Sequence, residues 1–240
     1  MTKRKKLQYD ARSSHTLLID GDIILWRIGA TTNEASEDIA KVRLNQYIDE
    51  IFHKSFCSDY RVFLTDSKGN FRVKVYPEYK ANRVQERPKH YNALREYLIN
   101  NEKAEVSWGQ EADDLLGIEQ TGNTIIASID KDLDMVPGLH YNFVNDKHYS
   151  ISNSVGKHKF WCQMLTGDAT DNIPGIRGIG PKKAEKILNG CYTDRDYLAS
   201  VCAAYEDLTD VPCVISHLDW LGKLLFIRRE HNKMWSVYEA

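Results

Sequence analysis

Gly167-Asp168-Ala169-Thr170-Asp171-Asn172-Ile173-Pro174-Gly175-Ile176-Arg177-Gly178-Ile179-Gly180-Pro181-Lys182-Lys183-Ala184-Glu185-Lys186 is the stretch on which the reading of this 240-residue chain turns. Two carboxylates, Asp168 and Asp171, run directly into a turn-forming segment whose glycines, Gly175, Gly178 and Gly180, leave backbone amides uncovered by side chains. Pro181 suits the first position of a helix, where its fixed φ fits and its missing N–H costs nothing. The open amides of that helix start, with Lys182, Lys183 and Lys186 beside them, form a site for a backbone phosphate. Amides and lysines touch phosphate and not base edges, so such a grip carries no sequence information.

Outward from this stretch, aspartates recur at the ends of short apolar runs. Thr16–Ile19 reads as a buried parallel strand ending in Asp20-Gly21-Asp22, Arg61–Thr65 as a second ending in Asp66, and Thr124–Ile129 as a third running into Asp130-Lys131-Asp132. The carboxyl ends of parallel strands are where open α/β sheets place their ligands. Between them, Leu44, Tyr47, Ile48, Ile51 and Phe52 mark the apolar face of a helix over about 36–56. Gly109-Gln110-Glu111-Ala112-Asp113-Asp114-Leu115-Leu116 puts three acids in four positions at a helix start. Ordinary capping is the plain explanation, but it does not account for acids running straight into Leu115 and Leu116, where buried like charges repel unless a cation joins them. Phe71–Val75 alternates like a hairpin arm, and Tyr79-Lys80-Ala81-Asn82-Arg83 precedes a helix, with Lys80 and Arg83 on one face and the Tyr79 ring free to stack a base. His140–Val144 and His148–Ser152 read as a hairpin, Lys157–Leu165 as a helix, and Val214, Leu218, Leu221 and Leu225 as the stripe of a last one.

A net charge of −2 conceals a segregation: acids gather around Asp20, Asp66, Glu111–Asp114, Asp130–Asp134 and Asp168–Asp171, and basic residues at 72–89 and 177–186. A near-neutral total therefore holds an acidic pocket beside basic walls. The five cysteines are odd in number and include no C-x-x-C pair, which points to free thiols in a reducing compartment and against a structural zinc site. The histidines lack H-x-x-x-H or H-x-x-E spacing and read as surface or packing residues. No apolar run reaches the length of a membrane span and no secretory segment follows the basic start, so a cytoplasmic protein is expected.

The run Asp171–Ala184, with four further motifs in the same order, resembles the helix-hairpin-helix segment of the flap endonuclease and 5′→3′ exonuclease family, which includes the 5′-nuclease domain of bacterial polymerase I and many bacteriophage exonucleases. The resemblance covers about Thr16 to Leu188. It implies an α/β fold: a central, mostly parallel sheet with flanking helices, a short helical arch and a helix-hairpin-helix subdomain. The expected organisation is a basic mobile tail at 1–14, a nuclease core at 15–160 with the arch at about 72–105, and a helical part at 161–240 with the hairpin motif at about 168–188. The resemblance further implies metal ligation by Asp20, Asp66, Glu111, Asp113, Asp114, Asp130, Asp132, Asp168 and Asp171, divided between two Mg²⁺ or Mn²⁺ ions; oxygen-only donors suit these hard cations. It gives Lys80 and Arg83 a catalytic role on the scissile phosphate, and assigns DNA contacts to Arg72, Tyr79, Gly175, Gly178, Gly180, Lys182, Lys183 and Lys186. A K⁺ ion at the hairpin carbonyls is also implied. The expected partner is DNA with 5′ ends, nicks or 5′ flaps, or an RNA–DNA hybrid, bound by a monomer that hydrolyses phosphodiesters to leave 5′-phosphates. The alternatives are a PIN-type ribonuclease, against which the duplex-holding hairpin argues, and a noncatalytic DNA-junction-binding module, which the loss of carboxylates would favour.

Overall fold

The computed structural model describes residues 13–239. Most of the basic tail expected at 1–14 lies outside the described residues, and Ser13 and Ser14 already belong to the first strand, β1 (Ser13–Asp20). In β1 the side chains alternate between faces. Leu17 and Ile19 join one buried cluster and Leu18 the other, so the strand is apolar on both sides.

The other strands are β2 (Cys57–Asn70), β3 (Glu105–Gly109), β4 (Thr124–Ala127), β5 (Gly138–Asn142) and β6 (Lys147–Ile151), in the spatial order β3-β2-β1-β4-β5-β6. Every pairing is parallel except β5 with β6, the expected hairpin. Helices α1 (Gly21–Thr31), α2 (Glu37–Ser55) and α4 (Tyr91–Asn100) bury Leu25, Leu44, Ile48, Leu94 and Leu98 against one face. On the opposite face, α5 (Ala112–Glu119), α6 (Asn153–Thr166), α7 (Pro181–Ile187), α8 (Asp194–Leu208) and α9 (Val214–Leu225) share a cluster around Trp161, Met164, Val201 and Leu221 with Leu18, Phe63 and Ile126 of the sheet. A sheet covered on both sides explains why its central strands read as continuous apolar runs.

Two expectations for residues 71–105 fail. Phe71–Val75 is a short helix, α3, and not a hairpin arm, because the Asn70 side chain accepts from the amides of Arg72 and Val73 and caps a helical turn. The arch is not helical either: Tyr76–His90 is a run of turns and extended backbone, with Lys80 at φ 57°. α4 falls within the span expected for the arch, but it is a core element, since Leu94 and Leu98 are fully buried beside α1 and α2. Thus the longest exposed run in the expected arch is only residues 81–87.

Candidate functional site

The carboxyl ends of β1, β2 and β4 open into one cleft of about 1520 Å³. That exceeds the ~300–1,000 Å³ of small-molecule pockets and has room for a polymer. Asp20, Asp66, Glu111, Asp113, Asp130, Asp132, Asp168 and Asp171 all line it, although they are scattered over most of the chain. Lys80, Arg83, Arg87, Arg95 and Lys159 line the same cleft.

Each acid is placed by local structure. Asp20 ends β1 and caps α1, accepting from Ile23 N at 3.3 Å and from Ser128 Oγ at 2.8 Å. Burial, then the charge of Asp22, pushes Asp20 up to about 7. Asp113, in the first turn of α5, is held well above the usual carboxylate range by burial and then by Asp20, Asp130 and Glu111. Asp168 is raised by burial and then by Asp132. These mutual repulsions mark two neighbourhoods, one around Asp20, Asp113 and Asp130 and one around Asp132 and Asp168. Asp66 is different: the amides of Gly109, at 3.0 Å, and Lys68, at 2.9 Å, hold it below the usual range.

Asp22 is the site residue that sequence reasoning passed over. Its Oδ2 accepts from Thr65 N at 3.0 Å, while its buried Oδ1 has no hydrogen-bond partner. The only signal for it was its place two residues after Asp20. An orphaned carboxylate oxygen in a basin of crowded, oxygen-only donors fits a divalent cation of the Mg²⁺ or Mn²⁺ kind.

The cations are already seated on this rim. Lys80 Nζ is bonded to Glu111 Oε1 and lies 3.5 Å from Asp171 Oδ2, and Arg83 Nη2 is bonded to Asp171 Oδ1. Lys80 N donates to Asp171 O at 2.9 Å and Asn82 Nδ2 to Ala169 O at 2.8 Å, so the base of the arch is docked on the 168–172 loop. The two cations converge through this turn and not through a shared helical face.

Four residues do not sit where the sequence reading put them. Tyr79 is 5% exposed, and its hydroxyl donates to Glu111 Oε2 at 2.8 Å and Asp171 Oδ2 at 2.9 Å, so its ring positions carboxylates and cannot stack a base. Asp114 is fully buried outside the cleft, where its oxygens accept from Arg72 Nη1 at 2.5 Å, Arg72 Nη2 at 2.9 Å, Arg228 N at 3.1 Å and Glu111 N at 3.2 Å. With that shell filled it is no metal ligand. Arg72 is correspondingly buried, its Nε donating to Leu224 O, its Nη2 also to Phe226 O, and its Nη1 lying 3.9 Å from Glu111 Oε2, and it is not a DNA contact. A Cβ on Gly175 would stand 2.1 Å from the Thr166 carbonyl carbon, so this glycine serves close backbone packing. Gly178, at φ +82°, and Gly180 would meet nothing within 4 Å, and they are open to an approaching ligand together with the exposed Lys182, Lys183 and Lys186.

The fold and site together define a class: a doubly covered α/β sheet with a divalent-cation basin at its carboxyl edge, a cationic rim and an open glycine hairpin. No family model matches the chain. Among curated proteins, it is 29% identical over 197 residues to the 5′-3′ exonuclease of Buchnera aphidicola subsp. Schizaphis graminum, covering 72% of this chain and 69% of that protein. It is 28% identical over 191 residues to the flap endonuclease Xni of Shewanella sp. (strain W3-18-1), covering 72% and 73%. It is 32% identical over 175 residues to DNA polymerase I of Rhizobium leguminosarum, covering 64% of this chain but 17% of the polymerase. Among solved structures, a bacteriophage T5 5′-exonuclease with bound zinc shares the fold at TM-score 0.57 and 19% identity, covering 81% of this chain and 86% of that one. A T5 flap endonuclease complex with DNA and metal ions does so at TM-score 0.56 and 19% identity, covering 88% and 94%. The chain belongs to the flap endonuclease and 5′→3′ exonuclease family.

Proposed function

We propose that this protein is a structure-selective 5′-nuclease, a 5′→3′ exonuclease or flap endonuclease that hydrolyses DNA phosphodiesters to leave 5′-phosphates. The observation that carries the reading is the gathering of nine carboxylates from across the chain in one cleft, with Lys80 and Arg83 on its rim. Two Mg²⁺ or Mn²⁺ ions, held by Asp20, Asp22, Asp66, Glu111, Asp113 and Asp130 and by Asp132, Asp168 and Asp171, would supply charge neutralisation and an ionised water at neutral pH. The protein's own part is positioning. Lys80 and Arg83 present an ammonium and a guanidinium whose carboxylate partners compete with phosphate oxygens for the same N–H groups, so an entering phosphodiester finds donors preplaced for the charge that develops on it. Tyr79 fixes Glu111 and Asp171 from behind. Burial of Asp20, 3% exposed, shields the basin floor around it from bulk water and strengthens these interactions.

The hairpin would hold the duplex arm. Lys183 Nζ lies 2.9 Å from Gly178 O, which marks that carbonyl as a cation acceptor and supports the K⁺ assignment at 175–180. A Lys182→Ala/Lys183→Ala protein is expected to bind duplex more weakly and to lose about two units from the slope of log affinity against log salt. A fluorescence-anisotropy titration at several salt concentrations measures this, and an unchanged slope would remove both lysines from the interface.

Incubation with a 5′-labelled nicked or flapped duplex tests the whole reading. Release of 5′ fragments in Mg²⁺, abolished by EDTA, is expected. Metal-independent binding without any cleavage would favour a noncatalytic junction-binding module instead. An RNA–DNA hybrid in the same assay decides whether the degraded strand includes RNA. A monomer in the cytoplasm is part of the same proposal; among the described residues no helix is long and apolar enough to cross a membrane.

A further inference from the structure

Away from the acidic cleft, α6 and α7 bring together a nitrogen, a sulfur and a carboxylate. His158 and Cys162 sit four residues apart on α6, hence on one helical face, and Glu185 projects from α7. His158 Nε2 lies 2.9 Å from Glu185 Oε2 and 3.4 Å from Cys162 Sγ, and Cys162 Sγ lies 3.9 Å from Glu185 Oε1. A tetrahedral ion with bonds of ~2.0–2.3 Å needs ligand–ligand edges of about 3.3–3.8 Å. His158 Nε2, Cys162 Sγ and one Glu185 oxygen all lie within 4.8 Å of one another, so small side-chain movements would close that triangle. The other ring nitrogen, His158 Nδ1, is 3.1 Å from the hydroxyl of Tyr197, which is itself buried and stacked at 2° on Trp161. Such a partner fixes the ring and leaves Nε2 as the free donor. The Glu185 side chain is 61% exposed, so the fourth corner opens to water.

We propose that His158, Cys162 and Glu185 form a second metal site, specific for Zn²⁺ or a similar borderline-soft divalent cation, that ties the helix-hairpin-helix to the catalytic basin. The donor set separates it from the all-oxygen basin, since thiolate and imidazole select zinc over Mg²⁺. Binding forms the metal–sulfur bond and expels the thiol proton to solvent. The link it makes is mechanical. α7 carries Lys182, Lys183 and Lys186, and α6 carries Gln163, which donates to Asp132 Oδ1 at 2.7 Å on the basin edge. A bare Glu185–His158 ion pair beside a half-buried thiol is the competing account, and it predicts no affinity for a soft metal. Standard spacing rules miss the cluster because it mixes a His-x-x-x-Cys pair with a distant glutamate.

Cobalt substitution tests it on the full chain, reduced and in excess Mg²⁺ to occupy the basin. One equivalent of Co²⁺ is expected to produce a near-ultraviolet thiolate-to-cobalt charge-transfer band, which Zn²⁺ displaces. Cys162→Ser should abolish the band, Cys202→Ser should keep it, and Tyr197→Phe should weaken Zn²⁺ binding by about 10–100-fold. Absence of the band after several equivalents of Co²⁺, or its persistence in Cys162→Ser, overturns the site. The basin offers no sulfur, so either result leaves the nuclease reading to its own assay.

Discussion

Asp113→Asn is expected to lower Mg²⁺-dependent cleavage of a 5′-flapped duplex by at least about 10²–10³-fold, the usual cost of losing one preorganised electrostatic group, while making the metal-free protein more stable. Both effects follow from one placement. Asp113 is half-buried and crowded by the charges of Asp20, Asp130 and Glu111, and desolvation with that repulsion holds its carboxyl well above the usual value of 3.8. Asparagine keeps the shape, removes the charge that a cation would neutralise, and relieves the repulsion; gains of about 0.5–2 kcal/mol are common when a functional strain of this kind is removed. The pH dependence has a definite sign. For Asp20 and Asp113 the folded state binds protons more tightly than the unfolded chain, so their contribution to stability is complete below the unfolded value of 3.8 and is lost as pH rises through the folded one, about 7 for Asp20. In EDTA the wild-type denaturation midpoint should therefore fall between pH 5 and 8, contrary to the trend for salt-bridged carboxylates. Mg²⁺ should flatten that fall in the wild type and do so less in Asp113→Asn. A variant that cuts like the wild type, or gains as much stability from Mg²⁺, would remove Asp113 from the metal site.

How much of this was legible in the sequence depends on range. β1, α2, the β5–β6 hairpin and the glycine run at 175–180 declare themselves through apolar periodicity, strand-end aspartates and turn residues, all of which act within a few positions. Even the gathering of carboxylates could be anticipated, because parallel strands deliver their carboxyl ends to a common edge. What failed was partner choice. Asp113 and Asp114 are indistinguishable as letters, yet one turn of α5 points the first into the basin and the second at Arg72, which lies 42 residues earlier. Tyr79 reads as a base-stacking ring next to two cations; its burial follows from the docking of the 76–83 turn on Asp171, a contact across some 90 residues. The arch helix failed for a related reason: Lys80 adopts a left-handed φ of 57° so that its ammonium can reach Glu111, and that conformation interrupts any helix. Asp22 escaped notice because its carboxylate matters only through the absence of a second partner, which no local pattern records.

The Arg72–Asp114 pair yields the largest expected change in stability. Arg72 is 3% exposed and Asp114 fully buried, and they share two hydrogen bonds between α3 and α5, with backbone groups from α9's exit completing both shells. Burial alone would push Asp114 up, but the Arg72 charge and hydrogen bonds outweigh it and hold the carboxyl below the usual range. Arg72→Met strands the carboxylate in an apolar setting, and breaking a buried pair from one side costs about 3–5 kcal/mol. Against total stabilities of about 5–15 kcal/mol the single variant should be close to unfolding at 37 °C. The double change Arg72→Met/Asp114→Leu should recover most of the loss, because two apolar side chains of similar volume remove the desolvation cost as well as the attraction. Asp114 also gives the wild type an acid limb of the opposite sign to Asp113: its contribution is present above 3.8 and is lost as pH falls through the depressed folded value, and the double variant should lack it. Urea denaturation of the four proteins of the cycle at about pH 3 and pH 7 reads each of these terms. The folded double variant should still cleave in Mg²⁺, since neither side chain lines the cleft; loss of cleavage with stability restored would return Asp114 to the metal site.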